Sequence, residues 1–387
     1  MSLNGAAYIV GAYEHPTRKA DDLSVLRLHA DVAKGALDDA GLTKDDIDGY
    51  FCAGDAPGLG TTTVAEYLGL KLRHVDSTEC GGSAPILHVA HAAEAIKAGR
   101  CNVALITLAG RPRAAGAALS LKGPDPDAPE VQFELPFGPA TQNLYGMVAR
   151  RHMYEFGTTS EQLAWIKVAA SHHAQHNPNA MLRNVVTVED VVNSPMVSDP
   201  LHRLDCCVMS DGGGALIVAR PEIARKLERP LVKVRGTGEA PRHGAGGKID
   251  LTWSAAKWSG AAAFAEAGLT PQDIKYASLY DSFTITVLMQ LEDLGFCKKG
   301  EGGRFVMDGN LISGVGKLPF NTDGGGLCNN HPANRGGVTK VIEAVRQLRG
   351  EAHPAVQVKD CDIALANGIG GALASRHTAG TLIMERE

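Results

Sequence analysis

Ala36-Leu-Asp-Asp-Ala-Gly-Leu-Thr-Lys-Asp-Asp-Ile47 recurs as Ala263-Phe-Ala-Glu-Ala-Gly-Leu-Thr-Pro-Gln-Asp-Ile274, with seven of the twelve positions identical. Each copy ends an amphipathic segment at a glycine, Gly41 or Gly268, the residue type that stops a helix in the left-handed conformation. A short turn and an apolar segment of strand length follow in both. A second echo lies further on. Cys101-Asn-Val-Ala-Leu105 matches Cys361-Asp-Ile-Ala-Leu365, and each follows a helical stretch, Ala92–Ala98 or Lys340–Leu348. Two matches in the same order point to one α/β unit used twice.

The rest of the chain fits that unit. Apolar segments of strand length stand at Ala6–Val10, Gly49–Ala53, Val103–Ala109, Gly214–Val218, Leu231–Val234, Ala277–Tyr280 and Ile363–Ala366. Helical periodicity runs through Val25–Ala40, Ile86–Ala98, Ser160–His176, Ser254–Ala267, Thr284–Leu294 and Thr339–Leu348. Buried strands alternating with amphipathic helices give an α/β chain whose central sheets are covered by helices. Residues 111–205 have no counterpart in the second half. They contain the Pro/Gly/Asp-rich stretch Lys122-Gly-Pro-Asp-Pro-Asp-Ala-Pro129 and then helices. The expected division is a first half of 1–110 with 206–227, an inserted cover of 111–205 over the first half, and a second half of 228–387.

Composition excludes several classes. Of 387 residues, 44% are hydrophobic and 21% charged, which suits a globular chain and not a disordered one. Net charge is −5, and no Lys/Arg run exceeds two residues, as at Lys298–Lys299, so a nucleic-acid footprint is absent. No apolar run approaches the ~18 residues of a membrane span. Met1 to Pro16 lacks the pattern of a secretory signal, and the last residues match no peroxisomal or retention signal. Eight cysteines then read as reduced thiols in a cytoplasmic protein. Glycine is the outlier, 45 residues or about 12% against a usual ~7%. It clusters around Cys80, at Gly212–Gly214, at Gly324–Gly337 and at Gly368–Gly371.

Three of those clusters carry candidate chemistry. Asp76-Ser-Thr-Glu-Cys80-Gly-Gly-Ser-Ala-Pro85 leads into a helix. Unpaired N–H groups and the positive dipole end at a helix start favour thiolate, so Cys80 reads as a nucleophile; the plainer alternative is a small buried cysteine in a turn. Asn321-Thr-Asp-Gly-Gly-Gly-Leu-Cys-Asn-Asn-His331-Pro-Ala-Asn-Arg-Gly-Gly337 precedes the matching helix of the second half. His331 there suits a base facing Cys80 across a pseudo-twofold, or else a capping residue. Ala366-Asn-Gly368-Ile-Gly-Gly371 follows the repeated strand as a glycine-rich turn whose N–H groups suit a developing oxyanion.

Duplicated α/β halves, a cysteine before a helix, an H-P loop behind glycines and a C-terminal G-x-G-G segment resemble the thiolase superfamily over essentially the whole chain. The resemblance is strongest to sterol-carrier-type thiolases and their bacterial thiolase-like relatives. It is carried further by Asp199-Pro-Leu-His-Arg-Leu-Asp-Cys-Cys-Val-Met-Ser-Asp-Gly-Gly-Gly214 and Leu318-Pro-Phe-Asn-Thr-Asp-Gly-Gly325. It implies mixed five-stranded sheets in a layered α-β-α-β-α arrangement. It also implies an acyl-CoA C-acyltransferase with Cys80 as nucleophile, His331 as its base, and the N–H groups of Cys80 and Gly370 around the oxyanion. Coenzyme A is then a substrate, with no permanently bound cofactor and no metal. The expected assembly is a homodimer paired through the strand near Leu72–Asp76, or a complex with a small OB-fold, zinc-ribbon partner.

Two motifs depart from the family. The C-x-G cysteine is replaced by Gly368, and the H-D-C-F motif reads Tyr280-Asp-Ser282-Phe283. Both usual second acid/base groups are therefore missing. Tyr280 remains as a donor to a substrate carbonyl, as in the thiolase-like retro-aldolases, and Ser282 has no useful pKa without an activating neighbour. Retro-aldol or C-acylation chemistry led by Tyr280 and His331 is the alternative reading, and a non-catalytic or half-catalytic subunit of a hetero-complex with the small OB-fold, zinc-ribbon partner is another. Cys328 is a further acid/base candidate, or a structural loop cysteine. Cys101 and Cys361 read as core, and Cys206 and Cys207 as core or loop lining. His172 and His176 share a helix face but lack a third metal ligand. Trp253 and Trp258 line an acyl pocket or pack in the core. The acyl group stays open among straight, branched, aromatic and steroid CoA esters.

Overall fold

The computed structural model describes residues 2–53, 56–115, 127, 129–138, 140–242, 248–373 and 375–387. Most of the stretch 122–129 lies outside the described residues. Eleven strands are described: β1 (Tyr8–Glu14), β2 (Gly49–Phe51), β3 (His74–Asp76), β4 (Val103–Gly110), β5 (Met196–Ser198), β6 (Leu201–His202), β7 (Gly212–Ala219), β8 (Val232–Arg242), β9 (Tyr276–Leu279), β10 (Ile363–Ala372) and β11 (Ser375–Arg386).

The first echo encodes a joint. Helices Val25–Ala40 and Ala256–Ala267 both end on a left-handed glycine, Gly41 at φ 68° and Gly268 at φ 65°. In both copies a threonine then turns the chain. Asp46 Oδ2 accepts from the N–H and Oγ1 of Thr43 at 2.8 Å each, and Asp273 Oδ2 accepts from those of Thr270 at 2.7 and 2.8 Å. Ile47 and Ile274 are buried just before β2 and β9. Five of the seven identities, Gly, Leu, Thr, Asp and Ile, are thus the parts of one helix-to-strand turn built twice.

Nine of the strands form one sheet in the order β3-β2-β4-β7-β1-β8-β11-β10-β9, while β5 and β6 pair apart from it. The pairs β2–β3, β2–β4 and β9–β10 are parallel and the rest antiparallel. Five strands belong to the first half. The second half has four, with a single parallel bridge from Ala277 to Phe320 in the fifth place. The two half-sheets run together only where β1 and β8 pair through Tyr8–Lys233 and Ile9–Val232.

Strand alternation sets the layers. In β4, Ala104 and Ile106 join the central core while Val103 and Leu105 join the outer one. In β10, Ala364 and Ala366 are central while Ile363 and Leu365 face the other outer core. The central layer is a pair of helices, Ala84–Lys97 and Gly336–Arg349, touching strands of both halves. The outer layers are helix Val25–Ala40 on β1, β4 and β7, and helix Ala256–Ala267 on β8 and β11. This is the expected α-β-α-β-α order.

Three features differ from the sequence reading. The expected cover over the first half packs instead on the second half. Tyr145, Val148, Leu163 and Ile166 of the insertion share one core with Phe283, Leu288 and Leu327. The long strand β11 was not read. The glycines 368–371 lie inside β10, not in a turn after it. They are there because other backbone comes close: a Cβ on Gly368 would lie 2.7 Å from the Gly82 carbonyl oxygen. Glycine in a strand marks such an approach as often as a turn.

Ile342, fully buried in the central layer, belongs to the core that residues of both halves share. Ile342→Ala should lower stability by about 2–5 kcal/mol. Tryptophan fluorescence, reporting only from Trp165, Trp253 and Trp258, should still coincide with far-UV circular dichroism in a denaturant titration. Two separated transitions would contradict a central layer that couples the halves.

Candidate active site

Cys80 sits between β3 and a tight turn, Gly81–Ser83, that feeds helix Ala84–Lys97. Gly81 is left-handed at φ 67°. A Cβ there would meet Gly370 Cα and Gly371 N at 2.8 Å, and a Cβ on Gly370 would fall 1.6 Å from the Cys80 carbonyl oxygen. The nucleophile loop therefore rests on bare β10 backbone. That carbonyl also accepts from Ser83 Oγ at 2.7 Å and Thr378 Oγ1 at 3.0 Å. Ser83 Oγ lies 3.3 Å from Cys80 Sγ as well.

His331 arrives from the matching helix start. A Cβ on Gly337 would lie 2.1 Å from the Gly82 carbonyl oxygen, so the two central helices begin against each other. A Cβ on Gly82 would meet Tyr280 Cε2 and Cζ at 2.4 Å, and the Tyr280 ring is edge-on to His331 at 5.3 Å between centroids. Tyr280 Oη donates to the Ala333 carbonyl at 3.3 Å. The His331 N–H donates to Ser210 Oγ at 2.9 Å, while its Nε2 is buried without a partner. Cys80, Gly370, Tyr280 and His331 are thus brought to one place, although Cys80 makes no hydrogen bond to His331.

A buried ion pair holds the His331 side. Lys340 Nζ is 2.7 Å from Asp281 Oδ1, and both side chains are at most 1% exposed. Asp281 also accepts from the N–H groups of Gly326 at 2.8 Å and Leu327 at 3.1 Å. A Cβ on Gly325 would lie 2.2 Å from Asp281 Oδ2. The insertion closes the other end, where buried Lys167 donates to the Leu327 carbonyl at 2.6 Å.

Burial keeps the thiol, the imidazole and the phenol of this site uncharged. It pushes the Cys80 thiol above its ordinary value, and the Glu79 and Glu239 carboxylates add to the effect against Ser83. The thiolate expected from the helix start is therefore not the resting form, because desolvation and two anions outweigh the N–H groups. Burial lowers His331 to about 4, so its imidazole is neutral at pH 7 with Nε2 open to a proton. Burial also holds Tyr280 well above its ordinary value, leaving it a phenol.

The other candidates fall elsewhere. Ser282 Oγ pairs with Thr286 Oγ1 at 3.2 Å. Cys328 is fully buried beside Lys167. Cys101 and Cys361 are buried, and Cys206 and Cys207 are half-buried free thiols. The helix that carries His172 ends at Ala174, and His176 stacks on His353 at 5.1 Å. Trp253 and Trp258 line a cleft of about 540 Å³ with Pro241 and Ile249 and with the charged Arg242, Lys248, Asp250 and Lys257.

Tyr145 was missed by sequence reasoning. It stacks on Phe283 at 4.3 Å, hydrogen-bonds Ser282 and donates to the Gly371 carbonyl at 3.4 Å. Its stripe with Val148, Ala149 and His152 signals burial at helical spacing, but nothing in the insertion's sequence signals chemistry.

A family described as "Thiolase C-terminal domain-like" matches residues 238–385. An acetyl-CoA acetyltransferase of Methanothermobacter thermautotrophicus is 33% identical over 94% of this chain and 96% of that protein. A steroid side-chain-cleaving aldolase of Thermomonospora curvata is 36% identical over 90% of this chain and 91% of that protein. Among solved structures, the Ltp2-ChsH2(DUF35) aldolase superposes with a TM-score of 0.89 at 34% identity, covering 99% of this chain and 98% of that one. The chain belongs to the thiolase superfamily, as an enzyme on the acyltransferase fold whose near relatives include lyases and aldolases.

Lys340→Met strands the buried Asp281 carboxylate and should cost about 3–5 kcal/mol in a urea titration. Asp281→Asn combined with Lys340→Met should recover much of that loss. Equal stability of wild type and Lys340→Met would show the pair is not holding the loop.

Proposed function

We propose that the protein is an acyl-CoA C-acyltransferase that cleaves a 3-oxoacyl-CoA with CoA, or runs the reverse Claisen condensation, through an acyl-Cys80 thioester. The observation that carries this is the contact of the two central helix starts at Gly82 and Gly337, which sets the cysteine before one helix beside the histidine–proline before the other. Neutral His331 Nε2 takes the Cys80 proton as Sγ attacks the C3 carbonyl of the substrate. The N–H groups of Cys80 and Gly370 receive the oxyanion, worth about 2.7–4 kcal/mol per fixed donor. The C2–C3 bond breaks, the acyl group stays on Cys80, and the enolate takes the proton from His331. CoA thiol then displaces the acyl group and Cys80 is reprotonated. One histidine serves both transfers, so the missing second cysteine is not needed for cleavage. Tyr280, as a phenol, hydrogen-bonds the enolate oxygen, and Ser282 helps orient Tyr145.

The second reading is a retro-aldol cleavage led by Tyr280 and His331. Support comes from the Tyr280 ring lying against the Cys80 loop and from the aldolases at 34–36% identity. A small OB-fold, zinc-ribbon partner fits either reading, and the exposed Phe133, Phe137, Met147 and Tyr154 of the insertion support one. Homodimer pairing is supported by β3, which bonds only β2 and exposes Val75. We assign the protein to the cytoplasm on its eight unpaired cysteines; among the described residues no helix is long and apolar enough to cross a membrane. We take the division as 1–110 with 206–227, then 111–205, then 228–387.

With a 3-oxoacyl-CoA and CoA, Cys80→Ala should lose at least about 10³-fold in kcat. Tyr280→Phe should lose about 10²–10³-fold, as for one lost donor. Retained turnover in Cys80→Ala with none in Tyr280→Phe would replace acyl transfer by the retro-aldol reading.

A further inference from the structure

Behind the Cys80 loop, one histidine is held between two carboxylates. His91 projects from helix Ala84–Lys97. Its Nδ1 lies 2.9 Å from Asp76 Oδ2 and 3.2 Å from Thr78 Oγ1, and its Nε2 lies 3.1 Å from Glu239 Oε2. Asp76 ends β3, four residues before Cys80, whereas Glu239 stands on β8 in the other half. One ring therefore joins the strand before the nucleophile, the helix after it and the opposite half-sheet. With a carboxylate on each nitrogen, the imidazolium is the form that satisfies both contacts.

Placement gives the ring an electrostatic consequence. Glu239 is one of the two carboxylates that raise the Cys80 thiol, with Glu79. Asp76, His91 and Glu239 sum to −1 with an imidazolium and to −2 without it. The other groups facing the cluster are His88 and Glu94 on the same helix, and His74 and Arg100 around an adjoining cavity of about 310 Å³. His377 of β11, 3.0 Å from the Gly370 carbonyl, is lowered to about 4 by burial and is neutral.

We propose that His91 is a positioning residue for acyl transfer, clamping the 76–80 loop to both halves and offsetting the carboxylate field at the Cys80 thiol. The proposal rests on Cys80 being the nucleophile, and it is independent of the acyl group and of the direction of reaction. The pair contacts raise His91 to about 9, with the Glu239 hydrogen bond the largest cause. A raised histidine contributes fully below its unfolded value of about 6.5 and loses that contribution as pH rises through about 9.

The test is the pH profile of Cys80 alkylation by iodoacetamide, followed by peptide mass spectrometry on the full chain. It needs no substrate, so it stays distinct from the turnover of Cys80→Ala that tests the acyl-transfer reading. His91→Gln should move the alkylation midpoint upward and slow the reaction at pH 8 by about 5–10-fold, since a midpoint one pH higher leaves about a tenth of the thiolate. His91→Lys, which keeps the charge, should restore most of it. Glu239→Gln should move the midpoint down, and this arm stands even if His91→Gln folds poorly. A thermal destabilisation of His91→Gln that shrinks as pH rises through about 9, together with these movements of the midpoint, supports the clamp. An unmoved midpoint in a folded His91→Gln, or an upward movement in Glu239→Gln, overturns it.

Discussion

The carboxylate of Asp281 is the point on which the second half of the site depends. It is fully buried, it meets the Lys340 ammonium at 2.7 Å, and it accepts two backbone N–H groups of the turn that leads to His331. Burying two ions costs several kcal/mol each in desolvation, so such a pair is weak evidence for stability in itself. Its effect here is placement. Asp281 lies between Tyr280 and Ser282, so the contact that fixes the glycine turn also fixes the ring beside His331. Lys340 sits one turn into the central helix, which ties the same group to the layer shared by both halves.

The facing constraint is steric. Cys80 is held where it is because β10 offers backbone without side chains at Gly370, and because Gly82 leaves room for the Tyr280 ring. Carbonyl and hydroxyl contacts from Ser83 and Thr378 then fix the loop. The result is a site with a protonated thiol, a neutral imidazole and a phenol. In the proposed reaction the thiol proton passes to His331 as the substrate carbonyl is attacked, and fixed N–H groups act most strongly where burial lowers the dielectric.

Much of this was legible in the chain. The doubled Gly-Leu-Thr…Asp-Ile segment names a helix-to-strand joint residue by residue, and the doubled Cys-x-(Val/Ile)-Ala-Leu marks the strand after it. Cys80 and His331 were legible because each precedes one of the duplicated helices. Three things were not. A glycine run in a strand carries the same letters as a glycine turn, so β10 was cut short at Ala366. The thiol's protonation follows from burial and from Glu239, which is far from Cys80 in sequence and stands on β8. Tyr145 comes from an insertion with no second copy to compare. His91 belongs to the same class, since its two carboxylates reach it from β3 and β8 and only the fold brings them together.

The most direct measurement is peptide mass spectrometry of the protein mixed with a 3-oxoacyl-CoA and quenched within the first turnovers. Acyl transfer predicts an acyl group on the Cys80 peptide that disappears when CoA is added. Turnover of the same substrate with an unmodified Cys80 at every quench time would contradict it.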